Sequence, residues 1–445
     1  MSTNAIVTLK QTFSGNIILP EDSGYEEARK TMMRTGSPAV VLQPHTTEDV
    51  VAAIAYAKEV GGPLSVRSGG HSGPGFGTNE GGIVIDVRAL NSVEILDAHA
   101  RLVRIGSGAE WGAVAKTLGE HNLALSSGDT TTVGVGGLTL GGGIGWMVRQ
   151  YGLAIDSLVG AEIVTASGEV LRLSAQENAD LFWGIRGGGG NFGVVTHFDF
   201  TAHPLEGVVS GSIKYGIQDL PAVLTGWRDT MRTADEKLSS MLITFPSFGP
   251  NAPANATIAV CYASTDEAEA NATIAPLTKL GNNPVTDIKP MAYADVLQEA
   301  HPPGGMHVVA KNVFMDAMTD ELIHDIAALY KEGAPAPVLQ IRSVGGAMNR
   351  IASDATAFAH RSSEILLVGA SFFPGDASAE TIEQGLQPWK ALSATGNGAY
   401  ANLLSQADAH DLAAAYPTAT HEKLAVIKRT YDPDNLFRQN YNIEP

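Results

Sequence analysis

A single cysteine, Cys261, is all that this chain of 445 residues contains. That excludes an intrachain disulfide and leaves no second thiol for a Cys-x-x-Cys metal or redox site. Positive charge is scarce as well: 29 Lys and Arg stand against 47 Asp and Glu, a formal charge of −18. Such a surface repels phosphate backbones and anionic bilayers, so nucleic acid and membrane are poor partners. No apolar run reaches membrane-spanning length, and Met1 to Lys10 lacks the charged start and sustained apolar stretch of a secretory signal. These absences predict a cytoplasmic protein. Repeats and low-complexity tracts are missing too, and 44% apolar content is ordinary for a globular chain. The length exceeds what one hydrophobic core usually sustains, which predicts two domains or one domain with a large excursion.

What the chain has in abundance is glycine, and the glycines are clustered. Leu64 to Val66 reads as the end of an apolar strand, and Ser65-Val66-Arg67-Ser68-Gly69-Gly70-His71-Ser72 carries it into a turn. Adjacent glycines permit backbone angles that side chains forbid, so successive N–H groups can converge on an anion such as a pyrophosphate, with His71 at the mouth of the cradle. Alone, these eight residues suit a plain surface turn better; their weight comes from two further stretches. From Gly134 to Gly145, seven of twelve residues are glycine, too many for a stable helix or sheet interior. The spacers Val133, Val135, Leu138, Leu140, Ile144 and Trp146 are apolar, unlike those of a disordered linker, so this backbone is expected to press against a large flat ligand. The third cluster, Asp180 to Thr196, holds a Gly-x-Gly-x-x-Gly match at Gly188, Gly190 and Gly193. It runs into a strand, Val194 to Phe200, rather than a helix, and so is not a Rossmann fingerprint.

Around these clusters the pattern is strand, helix, strand. Tyr25 to Met33 predicts a short helix, Ala39 to Leu42 a buried strand, and Thr46-Thr47-Glu48-Asp49 the start of a helix that Gly61-Gly62 stops after Glu59. Ile83 to Val87 and Leu102 to Ile105 predict strands, Glu110 to Glu120 a helix, and Leu158 to Thr165 with Val170 to Leu173 a hairpin. Beyond about Leu205 the glycine clusters cease. Alternation in Gly207 to Tyr215, Met241 to Phe245, Thr257 to Tyr262, Val308 to Phe314, Val338 to Ser343 and Ile365 to Ser371 predicts an antiparallel sheet. Helical stretches at Leu220 to Met231, Glu267 to Leu280 and Glu321 to Lys331 are expected to back it. A last helix around His421 to Thr430 leads into Tyr431 to Pro445.

Arg67 to Ser72, Thr132 to Gly145, Asp180 to Thr196 and Tyr431 to Asn442, in that order, resemble the berberine-bridge-enzyme-like branch of the vanillyl-alcohol-oxidase flavoproteins, and within it the small bacterial members. The resemblance runs from about Ser37 to Pro445. It implies an α+β fold: a two-part FAD-binding domain of the PCMH type within residues 1–205 (about 37–204), an antiparallel-sheet substrate domain backed by helices over 206–395, and a C-terminal return to the FAD domain over 396–445. It also implies FAD bound covalently through His71 by an 8α-histidyl bond, with Arg67, Ser68, Gly69, Gly70 and Ser72 around the pyrophosphate. Gly137, Gly142, Gly145 and Val195 are then expected to pack on the cofactor, and Asn440 and Asn442 to return to it. Many members carry a second, cysteinyl tether; the corresponding position here is Thr130, and Cys261 lies in the substrate half, so one bond and no cysteinyl link is expected. Val133 occupies the position where, in the family, a small side chain goes with oxygen access, which favours an oxidase.

The reaction so implied is hydride removal from a C–O or C–N bond of a small molecule, with O2 reduced to H2O2. Two alternatives stay open: a dehydrogenase or reductase using another electron partner, and a catalytically idle binding protein. A homodimer is also left open. The glutamate used by plant members is replaced in Gly345-Gly346-Ala347-Met348-Asn349-Arg350-Ile351-Ala352-Ser353-Asp354 by Arg350 and Ser353, with Asp354 as a nearby substitute. Alternation puts Gln340 and Arg342 on one face of their strand. If that face meets the cofactor, Arg342 favours a carboxylate or polyol substrate; otherwise it faces solvent. Tyr400, Asn402 and Tyr441 complete the catalytic candidates, while the pair His360-Arg361 is expected to pack.

Overall fold

The computed structural model describes residues 3–301, 304–330, 336–406 and 409–445. A four-stranded sheet runs in the order Asn16–Ile18, Val40–Gln43, Ile83–Asp86, Leu64–Arg67, parallel except for its first pair. Helix Thr47–Val60 covers it, started by Thr46, whose hydroxyl accepts the Asp49 amide at 3.2 Å, and ended at Gly61. Val50, Ala53 and Ile54 on that helix pack with Val40, Leu42, Ile83 and Ile85 in one core. The strand Leu64–Arg67 thus forms a sheet edge, and the turn that follows leaves from a rigid base. Arg67 pairs across to Asp86 in register, and their side chains meet at 2.7 Å, fully sealed.

An antiparallel sheet of Val93–Asp97, Leu102–Gly106, Gly193–Thr201, Leu158–Thr165 and Val170–Ser174 lies beside it. Trp111 on helix Trp111–Gly119 packs in its core with Phe198 and Phe200. The central strand Gly193–Thr201 brings the third glycine cluster against the second. The backbone from Gly134 to Gly141 is not free of regular structure: it forms a helix over Val135–Leu140. Glycine's helix penalty, about 1 kcal/mol per residue, is outweighed here by packing that only glycine allows. A Cβ on Gly134 would collide with Ser68 and Gly69, and one on Gly136 would meet the Ser107 carbonyl at 3.0 Å.

The third sheet is antiparallel throughout, with seven strands in the order Val285–Met291, Val208–Gly216, Asn255–Tyr262, Leu238–Phe245, Val338–Ser343, Ile365–Phe373, His307–Met315. Helices Leu220–Thr233, Glu267–Ile274, Asp320–Leu329 and Gln387–Ser393 join one core with it, burying Val223, Trp227 and Ile326 with Leu242, Leu339 and Ile341. Lys331, the expected end of the third of these helices, lies outside the described residues. Because Leu339 and Ile341 face the helices, Gln340 and Arg342 face the other way. Arg149 clamps this unit to the glycine-rich half: its buried guanidinium donates to the carbonyls of Leu238 (2.7 Å), Met231 (3.1 Å) and Ala234 (3.2 Å), the last two being groups that the end of helix Leu220–Thr233 leaves open.

The chain then comes back. Helix Thr418–Tyr431 places Lys428 wholly inside, where Nζ donates to Asp432 (2.6 Å), Asn191 O (2.8 Å) and Phe437 O (3.0 Å). Phe437 enters the core of the four-stranded sheet and Ile443 that of the five-stranded one. His360 and Arg361 pack, as expected. The imidazole stacks on Phe314 and reaches the Ala415 carbonyl, while the guanidinium grips Asp156 at 2.8 and 2.9 Å.

Candidate active site

One strand from each of the three sheets, the glycine clusters and the C-terminal return meet around a cavity of about 370 Å³, within the range of small-molecule sites. Arg67, Ser68, Gly69, Gly70, His71 and Ser72 line one part of it, and Val133, Gly137 and Val195 another. Arg342, Asn402, Asn440 and Tyr441 close it from the third sheet and the C-terminal return. Gly70 has φ +73°, the left-handed conformation that the turn requires. Ser68 Oγ donates to Ser107 O at 2.7 Å, and Gly69 crosses the Gly134 backbone so closely that neither admits a Cβ. At Gly137 and Gly190, both lining the cavity, a Cβ would meet no protein atom within 4 Å. A side chain there would occupy the cavity itself.

Four expected residues lie elsewhere. Gly142 and Gly145 do not line the cavity. A Cβ on Gly142 (φ +124°) would meet the Phe358 ring at 2.8 Å, and one on Gly145 would collide with Gly128, so these glycines serve chain-on-chain packing. Gln340 is set back and accepts from Arg342 Nη2 at 2.9 Å. Asn442 is behind the wall, next to Tyr441, whose carbonyl is held by Asn191. The segment from Gly345 to Asp354 is also remote: Arg350 pairs with Glu236, and the Asp354 carbonyl accepts from Trp183 Nε1 at 2.8 Å.

The candidates that do line the cavity differ in what they have left to offer. The Arg67 guanidinium is taken by Asp86 and the Lys30 carbonyl (3.0 Å), so it fixes the turn. Tyr441 donates its hydroxyl to Gln406 O at 2.9 Å and packs edge-on to Phe76. Asn402 Nδ2 donates to Leu138 O (3.2 Å) and to the Tyr400 hydroxyl (2.9 Å). That same Tyr400 oxygen accepts from Gly143 N at 3.1 Å, which directs the phenol's own hydrogen elsewhere. Asn440 Nδ2 donates to Gly190 O (3.1 Å) and Phe437 O (3.0 Å). Its Oδ1, like Ser107 Oγ, is buried with no protein partner among the described residues, although both residues line the cavity. Buried polar atoms are rarely left so without a ligand to meet them.

His71 Nε2 lies 2.9 Å from Thr132 Oγ1. Burial pushes the imidazole pKa below its ordinary value, against the opposing pull of the Thr132 backbone and of Asp129, so the ring is neutral at pH 7. Thr130, in the position of the second tether, lines the cavity, whereas Cys261 is buried in another core.

Sequence reasoning missed Asp129, the one carboxylate among the lining residues. Its Oδ2 meets Arg342 Nη2 at 2.6 Å and its Oδ1 accepts from Thr130 Oγ1 at 2.9 Å. Burial raises its pKa, but Arg342 and Thr130 outweigh that, and the net shift is downward: Asp129 is ionised. Arg342 therefore faces the cavity rather than solvent, with its charge already matched by Asp129.

Comparisons with known proteins agree with this geometry. An FAD-binding-domain family model matches residues 38–174, and a model described as berberine and berberine-like matches 399–444. The (R)-6-hydroxynicotine oxidase of Paenarthrobacter nicotinovorans is 30% identical over 98% of this chain and 97% of its own length. A chitooligosaccharide oxidase of Gibberella zeae is 28% identical over 92% and 87%. Among solved structures, 6-hydroxy-D-nicotine oxidase from Arthrobacter nicotinovorans superposes with a TM-score of 0.87 at 28% identity, covering 100% of both chains. A glucooligosaccharide oxidase from Acremonium strictum, described as carrying 6-S-cysteinyl, 8α-N1-histidyl FAD, gives 0.85 at 24% identity over 99% of both and supports the fold alone.

Proposed function

Because the chain belongs to the berberine and berberine-like FAD-linked oxidoreductases, we propose that it is a covalent-FAD oxidase that removes a hydride from a C–O or C–N bond of a small molecule and passes the electrons to O2. The observation that carries this reading is that one cavity brings together the glycine turn of His71 and the Asp129–Arg342 ion pair. The cavity fits the cofactor: Gly137 and Gly190 leave a cradle that any Cβ would fill, and Ser107 Oγ and Asn440 Oδ1 stand ready for polar groups. Bound there, FAD supplies the hydride acceptor.

Each residue then has a task. The turn from Ser68 to Ser72 holds the pyrophosphate with backbone N–H groups, and His71 is the single point of attachment, since Thr130 brings no sulfur. Val133, small and at the cavity wall, leaves room for O2. Asp129 accepts the proton that a substrate hydroxyl or amine must give up as its hydride leaves. Arg342 keeps that carboxylate ionised and Gln340 steadies Arg342. The Tyr400 hydroxyl donates to the substrate heteroatom, and Asn402 and Tyr441 hold the return segment in place. A carboxylate matched by a guanidinium adds little net charge, so the substrate class favoured is a neutral alcohol, sugar or unprotonated amine.

The test is an anaerobic panel of amines, alcohols and sugars scored by bleaching of flavin absorbance, followed by admission of O2. At least one compound should bleach the flavin, and reoxidation should release one equivalent of H2O2. Reoxidation without peroxide would contradict the oxidase reading.

A further inference from the structure

One face of the seven-stranded sheet is packed on its helices, and the other meets the glycine-rich half without being covered to its end. At the covered end Leu366 and Phe314 are sealed in a core with Phe358 and Tyr400, and Arg342 stands opposite Leu366 on the next strand. Outward from there the same face carries Ile243, Val338, Ala370 and Val308, all half-buried, and ends in Phe372, 43% exposed. Phe248, 61% exposed, meets the Phe372 ring edge-on, 6.4 Å between centroids. Single exposed hydrophobic side chains are ordinary; a continuous row of them marks a binding surface. Across the sheet the same face turns polar, with Thr257 opposite Ile243, Lys214 opposite Thr257 and Asp287 opposite Ser212. The apolar strip is thus confined to one side of the sheet, the side that holds the strand of Arg342.

We propose that this strip receives the tail of the substrate: a neutral alcohol or amine whose reacting carbon lies at Asp129 and whose apolar chain or aryl group runs outward to Phe372. This rests on the oxidase reading given above and deepens it, by choosing among the substrate classes that reading allows. The strip leads from the cavity wall, where Arg342 meets Asp129 at 2.6 Å. Val338 lies four residues before Arg342 on one strand, about 13 Å away, and Gln340 between them turns its side-chain oxygen to Arg342 at 2.9 Å. None of the six strip residues carries a polar side chain. A sugar laid there would bring hydroxyls that these side chains leave without partners, which costs affinity, whereas each methylene withdrawn from water tightens binding by about fourfold. A stable protein interface takes about 800 Å² from each partner, more than six partly covered side chains expose, so the strip suits a small molecule already anchored in the cavity.

The experiment titrates the flavin-loaded protein with butan-1-ol, octan-1-ol and maltotriose, measuring dissociation constants by calorimetry and recording the visible flavin absorbance alongside. Octan-1-ol should bind wild type at least about tenfold more tightly than butan-1-ol, both alcohols should perturb the flavin spectrum, and maltotriose should bind no better than butan-1-ol. Phe372→Asp and Phe248→Ser alter exposed side chains. Each should weaken octan-1-ol at least about fivefold more than butan-1-ol, while Phe372→Leu should keep the wild-type preference. Equal dissociation constants for the two alcohols, octan-1-ol bound without a change in the flavin spectrum, or maltotriose bound more tightly than octan-1-ol would overturn the inference. So would sedimentation of wild type as a dimer that Phe372→Asp splits, which would give the strip to a second copy of the chain. Tight octan-1-ol binding in a protein whose flavin no compound of the anaerobic panel bleaches would uphold the strip as a ligand site and overturn the oxidase reading instead.

Discussion

Arg67–Asp86 and Arg342–Asp129 are matched in chemistry and almost in length, at 2.7 and 2.6 Å, but they occupy different surroundings. The first pair is sealed, with side chains 1% and 0% exposed; the second faces the cavity, with 14% and 30%. Asp86 accepts from Arg67, Arg88 and Gln43 together, so its lone pairs are spent on the protein. Burial alone would raise its pKa, but Arg88 and Arg67 hold it down to about 2. Asp129 has two partners and open surface beyond them. The same ion pair is therefore a rivet beneath the histidine turn and a working group at the cavity wall; access, not residue type, separates the two.

The comparison can be broken in four places. Asp86→Asn should cost the most, about 3–5 kcal/mol, because it leaves Arg67 buried and uncompensated. An unchanged denaturant midpoint would show that the sealed pair is no rivet. Asp129→Asn should slow anaerobic flavin reduction by about 100-fold, roughly 2.7 kcal/mol in the barrier, while shifting the unfolding midpoint by less than half as much as Asp86→Asn. The opposite pattern would reverse the two assignments.

Acid should sharpen the contrast. Asp86 has a folded-state pKa depressed from 3.8 to about 2, so its contribution is complete above the unfolded value and disappears as pH falls through the folded one. That amounts to about 2 kcal/mol lost between pH 4 and pH 2. Acid titration of wild type and Asp86→Asn should show this limb in the first and not in the second. The smallest effect belongs to the glycines. Gly142→Ala, with positive φ and the Phe358 ring in the way, should destabilise by about 1 kcal/mol or more. Gly137→Ala should leave the midpoint alone and weaken FAD binding. Equal unfolding midpoints for the two variants would remove the distinction between packing glycines and cradle glycines.

That distinction also marks what could be read from the sequence. The strand before the histidine turn, the capped helix Thr47–Val60 and the strand after the third cluster were all legible, because caps, glycine stops and alternation are local signals. Whether a glycine faces a ligand or another backbone is not local, so Gly137 and Gly142 look alike in one dimension and differ in three. The glycine run also misled by its own density: the helix Val135–Leu140 forms because close crossings at Gly134 and Gly136 reward what propensity penalises. Edge strands of all three large sheets escaped notice, among them Asn16–Ile18, Val93–Asp97 and Val285–Met291. These edges hold no fully buried residue, so apolar alternation is not needed there. Asp129 stood in plain view beside Gly128, but nothing nearby in sequence showed that Arg342 would cross from another sheet to meet it.

The most direct test of the whole account is to denature purified protein in acid and look for flavin on the chain. The account predicts a yellow precipitate whose proteolytic digest yields one flavin-bearing peptide containing His71, and a colourless precipitate from His71→Ala with its flavin in the supernatant. A colourless wild-type precipitate, or a flavin peptide that lacks His71, would contradict it.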